Sequence, residues 1–235
     1  MDSLERELER ARRLEVRDLA TTIEEIGFEC TDCGACCRGS DDEEHTATVF
    51  PDEVRAIRDA GRVPDPAGNA TDGESTDGTA DRWVDIARPM PYGLEPAVEG
   101  PVGETFEWAL QTDDCGNCVF YDETGESGGC SIYRDRPLIC RTYPFSVALD
   151  GTSQPMGSMV TQRGVVRIHE CEGVGRDIER ADARELATTL RERAIRELEE
   201  AIAVRDEYSP PDGDDPTVVV HDSEGPKRPD GTPLE

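Results

Sequence analysis

Four cysteines within eight positions, Cys30-x2-Cys33-x2-Cys36-Cys37, constrain this chain more than any other feature. Further on stand Cys115-x2-Cys118, Cys130, Cys140 and Cys171, nine cysteines in all. Three explanations compete. Structural disulfides need an oxidising compartment, an odd number leaves one thiol over, and the neighbours Cys36 and Cys37 are poorly placed to pair with each other. Ordinary buried cysteines account for one or two positions, not for four so close together. Metal ligation fits best, because a C-x2-C turn presents two thiolates to one ion while local N–H groups point at the sulfurs.

The metal itself stays open between zinc and iron. All-sulfur sites suit both zinc and iron–sulfur clusters. Cys30, Cys33 and Cys36 match the first three ligands of a bacterial-type [4Fe–4S] loop. Cys140, however, is followed by Arg141-Thr142-Tyr143 before Pro144, not by proline directly. Adjacent residues point their side chains apart, so Cys36 and Cys37 suggest two centres rather than one. Eight thiolates around two divalent ions carry a formal charge of about −4, which calls for cationic and N–H partners. Arg38, Arg136 and Arg141, beside or near cysteines in sequence, are the candidates to offset it.

A metal staple also answers a shortage of core. Only 35% of the 235 residues are apolar, the cysteines included, and a thin core gains from a cross-link. Net charge is −28, with 53 Asp and Glu against 25 Lys and Arg. That balance argues against nucleic acid, whose phosphates need clustered basic residues. Lys227 is the single lysine. Abundant acid, scarce lysine and few aromatics resemble the proteome of a salt-in halophile and imply a halophilic archaeal source, where acidic surfaces stay hydrated in concentrated salt. No run approaches the roughly 20 apolar residues of a membrane span. The opening MDSLERELERARRLE lacks the apolar stretch of a secretory signal. A cytoplasmic location is the expectation.

Along the chain, Leu4, Leu8, Ala11, Leu19, Ile23 and Ile26 predict an amphipathic helix over 2–26, stopped by Gly27. A short strand is expected over His45–Phe50, and a helix from Pro51 to Ala60 with Asp52 and Glu53 in its first turn. Residues 63–80 have linker composition and read as a flexible insertion. Trp83–Ala87 and Glu104–Thr112 read as strands. So do Pro144–Leu149 and Gly164–His169, with Asp150-Gly151 as a hairpin signal. Residues 176–206 predict a second long helix. From 209 onward the Pro, Gly and Asp content predicts a disordered tail with no function of its own.

Three sequence elements carry a family resemblance. They are Cys30-x2-Cys33-x2-Cys36-Cys37 with Gly34 inside, Cys118-Val119-Phe120, and the run Cys130-Ser-Ile-Tyr-Arg-Asp-Arg-Pro-Leu-Ile-Cys140-Arg-Thr-Tyr-Pro144. On these the chain resembles the YkgJ-type cysteine-cluster family of zinc- or iron-chelating domains, over residues 28 to 172 apart from the insertion. The resemblance implies eight ligands: Cys30, Cys33, Cys36, Cys37, Cys118, Cys130, Cys140 and Cys171. Cys115 is then the spare, although Cys115-Gly-Asn-Cys118 makes a good ligand turn by itself. Tyr143 stands where the family often has phenylalanine, as an aromatic shield.

Other chemistry is sparse. No P-loop, dinucleotide fingerprint, G-x-S-x-G or H-E-x-x-H occurs. His169 stands two residues before Cys171 and reads as a surface histidine at a strand end. His221 falls in the tail; His45 carries no motif. Asp41–Glu44 and Asp113-Asp114 read as solvated acid loops. No cysteine is singled out as a catalytic nucleophile.

The expectation is therefore an α+β fold: a small metal-stapled domain with short strands, long N- and C-terminal helices and a disordered acidic tail. Its parts are an N-terminal helix (1–27), a cysteine-cluster domain (28–175), a C-terminal helix (176–208) and the tail (209–235). Its cofactor is zinc or iron, in the latter case including an iron–sulfur cluster. Its partner is the metal ion, with no nucleic acid or membrane. Catalysis is not expected. The alternatives are an iron–sulfur redox protein and an accessory factor for a protein-modifying enzyme, the latter because a related cluster occurs in flagellin lysine methylases.

Overall fold

A computed structural model describes residues 3–39, 44–61, 82–98, 100–122, 129–149, 159–210 and 218–234. The expected insertion at 63–80 and the Asp150-Gly151 hairpin lie outside the described residues. In chain order the elements begin with α1 (Leu4–Arg12), α2 (Val16–Ile26), β1 (Thr48–Val49), α3 (Pro51–Asp59), β2 (Ala87–Pro89) and β3 (Leu94–Glu95). There follow β4 (Val102–Thr105), β5 (Trp108–Leu110), β6 (Tyr121–Asp122), β7 (Gly129–Cys130), α4 (Leu138–Thr142) and β8 (Phe145–Val147). The last are β9 (Met159–Arg163), β10 (Val166–His169), α5 (Arg180–Glu207), β11 (Val218–Asp222) and β12 (Gly225–Lys227). The chain is α+β, with several small sheets.

It divides into two units, one of residues 1–36 and 138–202, the other of 37–137 and 203–235. In the first unit, α1, α2 and α5 pack on the antiparallel sheet β8–β10–β9. Leu8, Ala11, Leu19, Ala20 and Ile23 meet Phe145, Val147, Val166 and Ile168 of the sheet and Ala187, Leu190, Ala194 and Leu198 of α5. Each fully buried Leu, Ile or Phe is worth about 1.5–3 kcal/mol. Two helices replace the single helix expected over 2–26. On a helix turning about 100° per residue, the Leu19–Ile23 stripe is rotated by about 80° from the Leu4–Ala11 stripe. The two stripes lie on one broad face, so the apolar pattern alone does not mark the break. Across the break at Arg13–Glu15 each faces inward, with Leu14 and Val16 packed beside them.

Inside the second unit, β1–β5–β2 form one sheet and β12–β11–β4–β3 another, with β6 and β7 as a separate pair. α3 begins where Pro51 fixes the backbone and the Glu53 carboxylate accepts from the Phe50 N–H at 3.0 Å. The expected strand at Trp83–Ala87 is instead a 3-10 turn, Trp83–Asp85, leading into β2. The expected strand Glu104–Thr112 is two strands, β4 and β5, in different sheets.

The disordered tail expected from 209 onward is contradicted over 218–234. Val218, Val219 and Val220 are buried, and β11 pairs parallel with β4 through Val218↔Gly103 and Val220↔Thr105. Asp222 anchors this strand. Its carboxylate accepts from Trp108 Nε1 at 2.7 Å and from Lys227 Nζ at 2.8 Å, all three residues being buried. The single lysine of the chain is thus an interior ion pair, and Asp222 is the buried charge it offsets.

Candidate metal centre

The first unit carries Cys30, Cys33, Cys36, Cys140 and Cys171. Gly27 ends α2 with φ 75°, and the chain leaves in an extended loop bearing the first three. That loop lies along the loop after β10. Glu29 N–H donates to the Gly173 carbonyl at 3.1 Å, Gly175 N–H to the Gly27 carbonyl at 2.9 Å, and Phe28 bridges Val174. Thr31 Oγ1 donates to the Glu172 carboxylate at 2.6 Å. The Phe28 ring packs edge-on against Phe145, 5.6 Å between centroids, and fixes the loop to the core. Both glycines are demanded by this approach. A Cβ would stand 2.3 Å from the Arg176 carbonyl oxygen at Gly27, and 2.3 Å from that of Glu29 at Gly173. Asp32 takes φ 52°, a left-handed turn that aspartate tolerates better than most residues.

The pairing of loops puts Cys171 in the same electrostatic neighbourhood as Cys30, Cys33 and Cys36. Burial pushes the Cys171 thiol up, the Gly173 N–H, 3.4 Å from Sγ, pulls it down, and the charges of Cys33, Cys36 and Cys30 push it up again. Tyr143 shares that environment. Burial first, then Cys171, Cys36, Glu170 and Cys33, push its phenol up to about 12. Its hydroxyl donates to the Glu170 carbonyl. Cys140 lies on α4, whose next-to-last position is held by Arg141 reaching towards Thr189 Oγ1 at 3.5 Å.

The second unit carries Cys37, Cys115, Cys118 and Cys130. Asp113 builds the turn between Cys115 and Cys118: one carboxylate oxygen accepts from the N–H groups of Cys115 and Asn117, each at 2.9 Å. Asp113 is therefore not merely solvated acid: its side chain accepts from the backbone two and four residues on and caps the turn. Cys118 N–H donates to the Cys37 carbonyl at 2.8 Å, and Asn117 Oδ1 accepts from Gly39 N–H at 3.2 Å, so the segment at Cys37 is pinned to that turn. Cys130 on β7 pairs with Tyr121, whose N–H donates to the Cys118 carbonyl at 2.9 Å. Cys118 is buried and Cys115 exposed.

The three arginines have partners of their own. Arg38 lies 5.9 Å from the Tyr121 ring centroid. Arg136 stacks on Tyr133 at 3.7 Å and donates to its carbonyl at 3.0 Å. The histidines differ from expectation. His169 is buried, not at the surface, with Nε2 2.9 Å from Ser146 Oγ. His221 is buried against Glu104, 2.8 Å away, and packs with the rings of Phe106 and Tyr208, which also touch each other. His45 is buried too.

No disulfide joins the nine cysteines. Among the described residues, no three Cys, His, Asp or Glu side chains stand in a closed metal-holding arrangement. The donor chemistry still fits a thiophilic ion. The charges of Cys33, Cys36 and Cys30 act on Cys171, which also accepts a backbone N–H, as metal-bound thiolates do.

These thiols define the class, a multi-cysteine metal-binding domain. The chain belongs to the CxxCxxCC family, described as "Putative zinc- or iron-chelating domain", whose family model matches residues 29–172, more than half of the chain and all nine cysteines. No curated protein and no solved structure matches it. Among the described residues no helix is long and apolar enough to cross a membrane.

Proposed function

We propose that this protein binds zinc or iron through two groups of thiolates, one headed by Cys36 and one by Cys37, and that the metal holds the fold together without turnover. The supporting observation is the shared field of Cys30, Cys33, Cys36 and Cys171, two loops far apart in sequence that meet at one set of thiols. Cys36 and Cys37 fall in different units, which favours a separate centre for each. On the second side, Cys37, Cys118 and Cys130 are tied through their backbone. Cys140, in the first unit, is the eighth ligand, and the exposed Cys115 is the spare. Arg38, Arg136 and Arg141 offset the thiolate charge. Bound metal supplies a cross-link that the thin apolar core lacks.

The setting is a reducing cytoplasm, since thiolate ligands need reduced cysteines. The acidity is an adaptation to concentrated salt rather than a site, in keeping with a halophilic archaeal source, and excludes nucleic acid as a partner.

One observation favours an iron–sulfur cluster within this reading. Three cysteines at C-x2-C-x2-C spacing share their field with one remote cysteine, the ligand pattern of a cubane cluster. Purification without oxygen separates the metals. A colourless protein with zinc bound supports a zinc centre. A brown protein with visible absorption and acid-labile sulfide supports the cluster, and with it a redox or accessory role.

A further inference from the structure

The ladder between β8 and β10 ends just before Cys171. Its last regular pairing is Phe145↔Ile168, and the His169 N–H then donates to the Pro144 carbonyl at 2.9 Å. Beyond that point the strand end that carries Cys171 has left the sheet. The next tie on this side is the Tyr143 hydroxyl, which donates to the Glu170 carbonyl. Immediately after it, Gly173 N–H reaches Cys171 Sγ at 3.4 Å and Val174 N–H reaches the Cys171 carbonyl at 3.3 Å. The thiol therefore sits between a phenol tether and a tight turn.

The tether has a rigid mount. Tyr143 N–H donates to the Ile139 carbonyl at 3.1 Å, at the end of α4. Its neighbour Thr142 is fully buried, donating to the Leu138 carbonyl at 2.8 Å. The buried Arg193 of α5 donates to Thr142 Oγ1 at 3.0 Å and to the Phe145 carbonyl at 3.3 Å, and is held in turn by Glu197 at 2.6 Å. Thr142 and Phe145, which flank the Tyr143-Pro144 pair, are thus clamped from one guanidinium, which fixes where the phenol oxygen can reach.

We propose that the Tyr143 hydroxyl is a positioning group for Cys171: by holding the Glu170 carbonyl, it locks the strand end that delivers this thiolate and so sets how tightly the first unit holds its metal. The inference rests on the metal-binding reading above. Hydrogen bonds that orient a ligand from behind commonly change metal affinity by about 10–100-fold. Loss of this one, which acts through the backbone, is expected at the lower end of that range.

The test compares full-length wild type, Tyr143→Phe and Cys171→Ser. Each is stripped of metal without oxygen and titrated with cobalt(II) and zinc(II) against a competing chelator. The expected result for Tyr143→Phe is about tenfold weaker affinity, faster metal release and altered cobalt d–d bands, with unchanged circular dichroism and thermal midpoint of the metal-free protein. Affinity, release and spectrum equal to wild type overturn the inference. So does an equal loss of stability in the metal-free form, which marks a merely structural hydroxyl. Cys171→Ser keeps the two readings apart. If it binds cobalt like wild type, the metal reading itself fails at this group; if it loses the metal while Tyr143→Phe does not, only the positioning role fails.

Discussion

Glu29 and Gly173 come so close that a Cβ on Gly173 would stand 2.3 Å from the Glu29 carbonyl oxygen, while the Glu29 N–H donates to the Gly173 carbonyl at 3.1 Å. The obstacle is backbone on both sides, so no side chain can swing away. Gly173→Ala should force the two cysteine-bearing loops apart, at a cost of about 1–3 kcal/mol as for other overpacked sites. Thermal denaturation with and without metal checks it. A variant as stable as wild type, with full metal content, would show that the loops can slide without consequence.

The metal should stabilise by linkage, since thiolates bind it only where the fold has gathered them. Cys33→Ser is expected to lose metal and thermal stability together. Chelator treatment of wild type should reproduce that loss. Retained stability in both cases would separate the fold from the metal.

Asp222 should be hard to replace. Asp222→Ala leaves the Trp108 N–H and much of the Lys227 charge buried without their carboxylate. Breaking a buried pair in this way costs about 3–5 kcal/mol, the lower figure applying because Lys227 keeps Glu224 at 2.7 Å. Lys227→Arg should also destabilise, because a larger planar cation must fit where the ammonium lies 5.4 Å from the Trp83 ring. Urea denaturation gives both values, and a neutral Lys227→Arg would show that the lone lysine is not needed for its shape.

Acid should weaken this same corner. The hydrogen bond from Arg55, opposed by burial and aided by Lys227, lowers the Glu224 carboxyl from 4.5 to about 2. A depressed carboxylate contributes fully above its unfolded value and loses that contribution as pH falls through the folded one. Glu224 thus adds stability above about pH 4.5 that disappears towards pH 2. Glu224→Gln should flatten the stability difference across that window, as measured by urea midpoints at stepped pH. Parallel curves for the two proteins would remove Glu224 from the acid response.

Much of this was legible in the sequence because it was local. Pro51 and the acids after it marked α3, and the long apolar stripe marked α5. The C-x2-C-x2-C-C run announced thiol chemistry by itself. What the sequence hid was long-range. The three-valine run of β11 is short, sits in Pro- and Asp-rich surroundings, and finds its partner β4 more than a hundred residues earlier. The break between α1 and α2 lacks glycine or proline, and the apolar residues on its two sides share one broad face, so nothing in the local pattern marks it. Asp113 looked like one more acid in a chain full of them, and its turn role is visible only from the N–H groups it gathers.

The most direct measurement is metal analysis of the full chain purified without oxygen, beside the Cys171→Ser variant. The account predicts zinc or iron bound in fixed proportion to wild type, with part of it lost from Cys171→Ser. Wild-type protein that is folded, stable and free of both metals, with nine reduced thiols titrated once it is unfolded, would contradict it.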